Sequence, residues 1–475
     1  MIFFQPIVDF TTTHGLSIPS FWIATTAETA DVDRGTLVIA GVLLSLITIF
    51  IASKVGGEVC ARLNLPPVLG ELVGGVIVGI SALSILVFPE SGAQASDSLI
   101  FKVIELSTPI PPEVAESIFE TQSEVIDVLS EIGVIILLFE IGLESDLKEL
   151  IDAGVQATIV AVVGVVAPFA LGTIGLIYLF GIPTVPAIFA GAALTATSIG
   201  ITAKVLAELG QLSSKEGQII IGAAVIDDVL GIIVLAVVSS LAKTGEVQIV
   251  NIAYLIISAA VFLVGAILLG RLLKDYYVGL VNNMKTRGQL LLTALVFCFT
   301  LAYIANMIQL EAILGAFAAG LVLAETEKRH ELEKQIVPVS DVLVPVFFVC
   351  VGAQTNLGVL NPAVPSNREG LIVAFFLIVV AIIGKVITGF TVFGQPGINR
   401  LAIGVGMIPR GEVGLVFAGV GSASGALSAS TEAAIIMMVI STTFLAPPLL
   451  RVVFQTPKSE TLTKTAASKG TNSES

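Results

Sequence analysis

The chain has 475 residues, of which 55% are hydrophobic and only 13% charged, roughly half the charged share of an ordinary globular domain. That excludes the soluble protein of two to four domains otherwise expected at this length and points to lipid as the chain's solvent. The net charge of −14 implies no cationic partner, because eight carboxylates crowd between Glu90 and Asp127, and no Lys/Arg cluster offers a nucleic-acid footprint.

Residues 1–35 hold apolar patches without a positively charged leader, which suits an extracytoplasmic segment before the first span better than a cleaved signal. A bilayer core of about 30 Å takes roughly 20 apolar residues as helix. Thirteen segments qualify: 36–53, 66–88, 124–142, 154–181, 184–208, 216–241, 249–271, 287–306, 309–325, 336–353, 370–392, 399–423 and 432–453. The transmembrane domain is thus 36–453, interrupted by an acidic loop at 89–123. Residues 454–475, rich in Ser, Thr and Lys, read as a disordered cytoplasmic tail. The fold class is all-α, a membrane protein of about 13 transmembrane helices.

Lys and Arg fix the orientation. Connections on one side, with the tail, carry sixteen; the other side carries only Arg34, Lys102, Lys243 and Arg368. The C-terminus is therefore expected in the cytoplasm and the N-terminus outside.

Weak internal repeats join the second and third spans to the ninth and tenth. Pro67-Val68-Leu69-Gly70, running on to Gly75, resembles Ala312-Ile313-Leu314-Gly315, running on to Gly320; Leu138–Leu147 resembles Phe348–Leu357, with Gly142 matching Gly352. Seven spans, an odd number, separate the copies, so they enter the membrane in opposite senses. Such inverted repeats mark secondary transporters.

The sixth span contains Asp227-Asp228 within an otherwise apolar run. One ionisable residue at mid-bilayer costs about 2.5–3.5 kcal/mol even on a lenient scale, so two adjacent ones call for a function. Neighbouring helical positions point about 100° apart, which lets one carboxylate pair with a fixed cation while the other faces water. Lys385, in the eleventh span, is the natural partner. Pro409, beside Arg410 and Glu412, interrupts the twelfth span, and Leu194–Gly200, with Thr197 and Ser198, is a matching interruption of the fifth. Broken helices expose dipole ends and carbonyls that, with hydroxyls, can ligate an alkali cation. Glu71 is a candidate to neutralise Arg410, and Glu140 sits near a cytoplasmic span end. Cys60, Cys298 and Cys350 have no metal-ligand spacing.

Leu65-Pro66-Pro67-Val68-Leu69-Gly70-Glu71, Leu137-Leu138-Phe139 with Gly142-Leu143-Glu144, Ala196-Thr197-Ser198, Asp227-Asp228 and Phe347-Phe348 with Gly352 together resemble the monovalent cation:proton antiporter-2 family, its cyanobacterial sodium/proton antiporters above all. The resemblance spans 36–453. It implies a dimerisation domain, a mobile core with two crossed broken helices, and a homodimer in a bacterial plasma membrane or thylakoid. It makes Asp228 the sodium-binding carboxylate and Thr197 a group lining the crossed helices; Asp227 and Ser198 join the ion site on the reading of the residues themselves. The resemblance makes Lys385 the partner of Asp227 and Glu412 a balancing group; Arg410 and Glu71 are balancing candidates from the residues alone. The Asp-Asp pair with a membrane Lys is typical of electrogenic members. Glu140, where a hydrophobic residue is usual, and the long 89–123 insertion depart from the pattern.

The expected activity is exchange of Na⁺ or Li⁺ for H⁺ by alternating access, with no cofactor beyond the transported ions and no covalent chemistry. Potassium/proton exchange stays open. A sodium-coupled solute symporter would want a larger polar cavity, and a channel would not couple proton movement to cation movement. An intramembrane aspartyl protease would need its two Asp on separate helices, one in a GxGD motif.

Overall fold

The computed structural model describes residues 34–89, 92–107, 110–244, 249–360 and 365–455. The expected N-terminal segment, up to residue 33, and the tail beyond 455 lie outside these. The described residues are helical, with no strand among them. The α-helices run α1 (Arg34–Arg62), α2 (Pro67–Val78), α3 (Leu99–Ser107), α4 (Pro112–Glu144), α5 (Leu147–Asp152), α6 (Gly154–Phe180), α7 (Thr184–Ala193), α8 (Ile199–Glu208), α9 (Lys215–Thr244), α10 (Ile249–Asn283), α11 (Gln289–Met307), α12 (Ala312–Ala324), α13 (Arg329–Ala353), α14 (Pro365–Gly389), α15 (Arg400–Gly406), α16 (Glu412–Ala423) and α17 (Ala429–Gln455).

Seven of these helices are long and apolar enough to cross a membrane, and shorter apolar helices such as Pro67–Val78 and Ala312–Ala324 lie among them. Each of the thirteen apolar segments falls on one helix or, at 184–208 and 399–423, on two short helices with a gap between. The chain is an integral membrane protein. The number of complete crossings rests on the sequence pattern.

Two expectations change. The segment 66–88 is helical only to Val78, because the chain turns at Gly79 against α13; Ile80 N–H donates to Ala353 O at 3.3 Å. The 89–123 stretch is not simply a solvated loop. Ile100, Phe101 and Ile104 of α3 share one face and are buried with Ala115, Ile118 and Phe119 of α4. Phe101 and Phe119 meet edge to face, with ring centroids 5.6 Å apart. Glu105, Glu113, Glu120 and Glu124 are exposed on the opposite faces, so a block of like charge conceals a small core.

The repeat copies exchange partners. α2 packs on α13, and α4 packs on α12. A Cβ added to Gly75 would stand 2.9 Å from Gly352 Cα, and one added to Gly320 would stand 2.8 Å from Gly142 Cα. Backbones touch there, which only glycine permits. Gly70 and Gly315, equivalent in the two copies, likewise press on α1 and α11. Apolar grooves of about 440 and 470 Å³ flank these pairs. Thr48, Ile51, Val55, Ile77 and Val78 line the first, and Thr293, Val296, Thr300, Val322 and Leu323 line the second. Each residue lies 245 positions after its counterpart.

Candidate functional site

Both broken helices break for local reasons. After α7, Thr195 Oγ1 donates to Ala192 O at 2.7 Å, a side-chain bond that competes with the helical ladder. Ser198 N–H turns away from its own helix and donates to Pro409 O at 2.8 Å. After α15, Pro409 supplies no N–H and obstructs a continuing helix. The two unwound stretches therefore satisfy one another. Thr197 Oγ1 donates to Met407 O at 3.2 Å, Thr202 Oγ1 donates to Gly406 O at 2.8 Å, and Arg410 Nη1 donates to Ala196 O. Gly411 admits the contact, since a Cβ there would stand 2.8 Å from Ser198 Oγ.

Asp227 and Asp228 sit near the middle of α9. One turn on, a Cβ at Gly231 would lie 3.7 Å from Ala196 Cβ and 4.0 Å from Val413 Cγ1, so α9 runs against both broken helices beside the aspartates. Lys385 Nζ, on α14, lies 3.1 Å from Asp227 Oδ2, and neither side chain is exposed. α6 makes room for the ammonium: a Cβ at Gly164 would be 3.2 Å from Nζ. Asp228 is 5% exposed. Arg410 is fully buried, and its own carbonyl accepts a hydrogen bond from Thr443 Oγ1. Among the described residues, Asp227 Oδ1 and Arg410 Nε and Nη2 have no hydrogen-bond partner.

Of the residues singled out in the sequence, Asp227, Asp228, Lys385, Thr197, Ser198 and Arg410 converge here. Glu412 opens α16, but its side chain is not among those described. Glu71 is elsewhere: it accepts a hydrogen bond from Ser53 Oγ at 3.1 Å and lies within electrostatic reach of Lys204 and Lys54. It does not meet Arg410, whose bond goes to a carbonyl. Glu140 accepts from Ser340 Oγ.

Sequence reasoning missed the group around Lys204. Glu71, Glu140, Glu144 and Glu208 all feel its charge, and Glu208 Oε1 accepts Val68 N–H at the start of α2, at 3.2 Å. The available signal was Pro67, which leaves Val68 as a free donor in the first turn.

Chemically, the site presents two carboxylates, hydroxyls and unwound backbone, all hard oxygen donors, alongside two buried cationic side chains. It can exchange a small monovalent cation for protons.

Residues 43–456 match the family profile described as "Sodium/hydrogen exchanger, transmembrane". The chain is 69% identical over 445 residues to a high-affinity Na⁺/H⁺ antiporter, NhaS3, of Synechocystis, covering 93% of this chain and 96% of that one. It is 32% identical to the Na⁺/H⁺-K⁺ antiporter GerN of Bacillus cereus, covering 86% of this chain and 94% of that one. Among solved structures, the sodium proton antiporter MjNhaP1 of Methanocaldococcus jannaschii aligns with a TM-score of 0.55 at 18% identity. The alignment covers 89% of this chain and 99% of that one, a likeness of fold.

Proposed function

The chain belongs to the sodium/hydrogen exchanger family, and from that premise we propose that it exchanges sodium for protons at Asp228, with Asp227 held by Lys385. The observation that carries this reading is the wholly buried Lys385–Asp227 pair, set next to a second aspartate where two broken helices cross. A transporter of this kind is not an enzyme; its ions are cargo.

The mechanism follows from competition. Asp228 accepts either a proton or a sodium ion, but not both. If the site changes sides only when its charge is balanced by one or the other, exchange is obligatory. Thr197 and Ser198, beside the unwound backbone, supply oxygen donors that replace part of the ion's water. Lys385 and Arg410 offset the aspartates and the exposed helix ends, since a buried charge is tolerated only when compensated. Sodium binding at Asp228 frees Lys385 to give up its proton, so two protons leave for each cation and transport is electrogenic.

The Lys/Arg asymmetry supports a cytoplasmic C-terminus, and the family resemblance supports a homodimer. Potassium as an alternative cargo is favoured by the likeness to GerN, a Na⁺/H⁺-K⁺ antiporter. Proton flux in proteoliposomes, driven in turn by sodium, lithium and potassium, tests the reading. Flux indifferent to every cation would overturn it.

A further inference from the structure

Arg410 is fully buried, yet among the described residues only its Nη1 is engaged, on Ala196 O. The idle nitrogens, Nε and Nη2, are not an arbitrary two. They form the side edge of the planar guanidinium, the fork that receives a carboxylate through parallel N–H···O bonds. A buried cation with its best edge unused is costly, and a second partner in another state would relieve that cost.

The complementary vacancy is in the same site. Asp227 Oδ2 accepts from Lys385 at 3.1 Å, and its Oδ1 has no partner among the described residues. Asp227 lies within electrostatic reach of Arg410 as well as Lys385. One aspartate thus feels two buried cations, bonded to the first and with its second oxygen unbonded among the described residues.

We propose that Arg410 is the alternate partner of Asp227, receiving its carboxylate on the Nε–Nη2 edge whenever Lys385 releases it. Asp227 then stays paired through the whole cycle, sodium binds at Asp228, and the protons exchanged for it come from Asp228 and Lys385. Arg410 is a positioning residue in this scheme; the tether from Nη1 to Ala196 and the Thr443 bond to its carbonyl keep the fork at the crossing while the partner changes. The proposal rests on the exchange reading above but is tested without transport.

Two measurements on the purified full-length protein decide it. In a structure of the Lys385→Ala variant, Asp227 should lie within hydrogen-bond distance of Arg410 Nε or Nη2; a guanidinium edge still idle and apart from Asp227 overturns the proposal. In melting experiments, Lys385→Ala and Arg410→Gln should each leave Asp227 one partner. The double variant, which leaves none, should lose more melting temperature than the two single losses combined. Additive losses overturn it. If Arg410→Gln does not yield folded protein, the Lys385→Ala structure decides alone. Arg410→Lys, which keeps the charge but not the fork, should retain part of the coupling with Lys385→Ala. Absence of sodium-dependent proton flux in the wild type would sink the exchange reading while leaving both measurements standing.

Discussion

Lys385 Nζ meets Asp227 Oδ2 at 3.1 Å with neither side chain exposed to solvent, a cation and an anion from α14 and α9 that are 158 residues apart. Removing one member of a buried pair leaves the other uncompensated, which typically costs about 3–5 kcal/mol. Lys385→Ala should therefore lower the melting temperature, by less than the full cost to the extent that Arg410 takes over. A variant that melts with wild type, and whose Asp227 has not moved to Arg410, would mean that the pair contributes nothing to the fold.

Asp228→Asn keeps the size of the side chain and removes the charge that trades protons for sodium. Exchange should disappear while expression, insertion and melting stay close to wild type, since the cost of a membrane carboxylate is lifted rather than added. Sodium-driven proton movement by this variant in vesicles would remove Asp228 from the ion site.

Transport should respond to voltage. With one net charge moved per turn, a potential of 100 mV contributes about 2.3 kcal/mol to the cycle. The reversal point in proteoliposomes with clamped sodium and pH gradients should shift with the imposed potential. A reversal point blind to voltage would mean one-for-one exchange and would take away the proton release assigned to Lys385.

The glycine crossings should tolerate no side chain. Gly320→Val would put a Cβ 2.8 Å from Gly142 Cα and should cost about 1–3 kcal/mol or more by overpacking, with loss of exchange. Gly265→Ala on α10 meets nothing within 4 Å and should stabilise by roughly 0.5–1 kcal/mol, because alanine loses less freedom on folding. Equal melting of the two variants would show that the crossings are loose.

Features carried by local chemistry were legible in the sequence. The helices, the two breaks and the charges at Asp227, Asp228 and Lys385 each leave a mark within a few residues, as a long apolar run, a proline or an isolated ion. Lys385 could be matched to the aspartates because few membrane cations compete for them. Glu71 could not be placed the same way. Several acids lie near span ends, and which cation each meets depends on helix rotation and depth, which one sequence does not encode locally. Ile100, Phe101 and Ile104 were hidden for a related reason: charge composition describes the outer face of 89–123 and says nothing of the inner one.

The two glycine contacts join residues 277 and 178 positions apart, Gly75 with Gly352 and Gly142 with Gly320. At synthesis rates of about 5–20 residues per second, α2 and α4 wait on the order of tens of seconds in the bilayer before the helices they are shaped to touch emerge. During that interval the first half of the molecule presents bare backbone grooves to lipid and to any insertion factor nearby. Maturation is therefore completed only after the second half arrives. A truncated first half should be held by membrane chaperones or degraded, whereas the two halves made as separate polypeptides should recover function only when produced together.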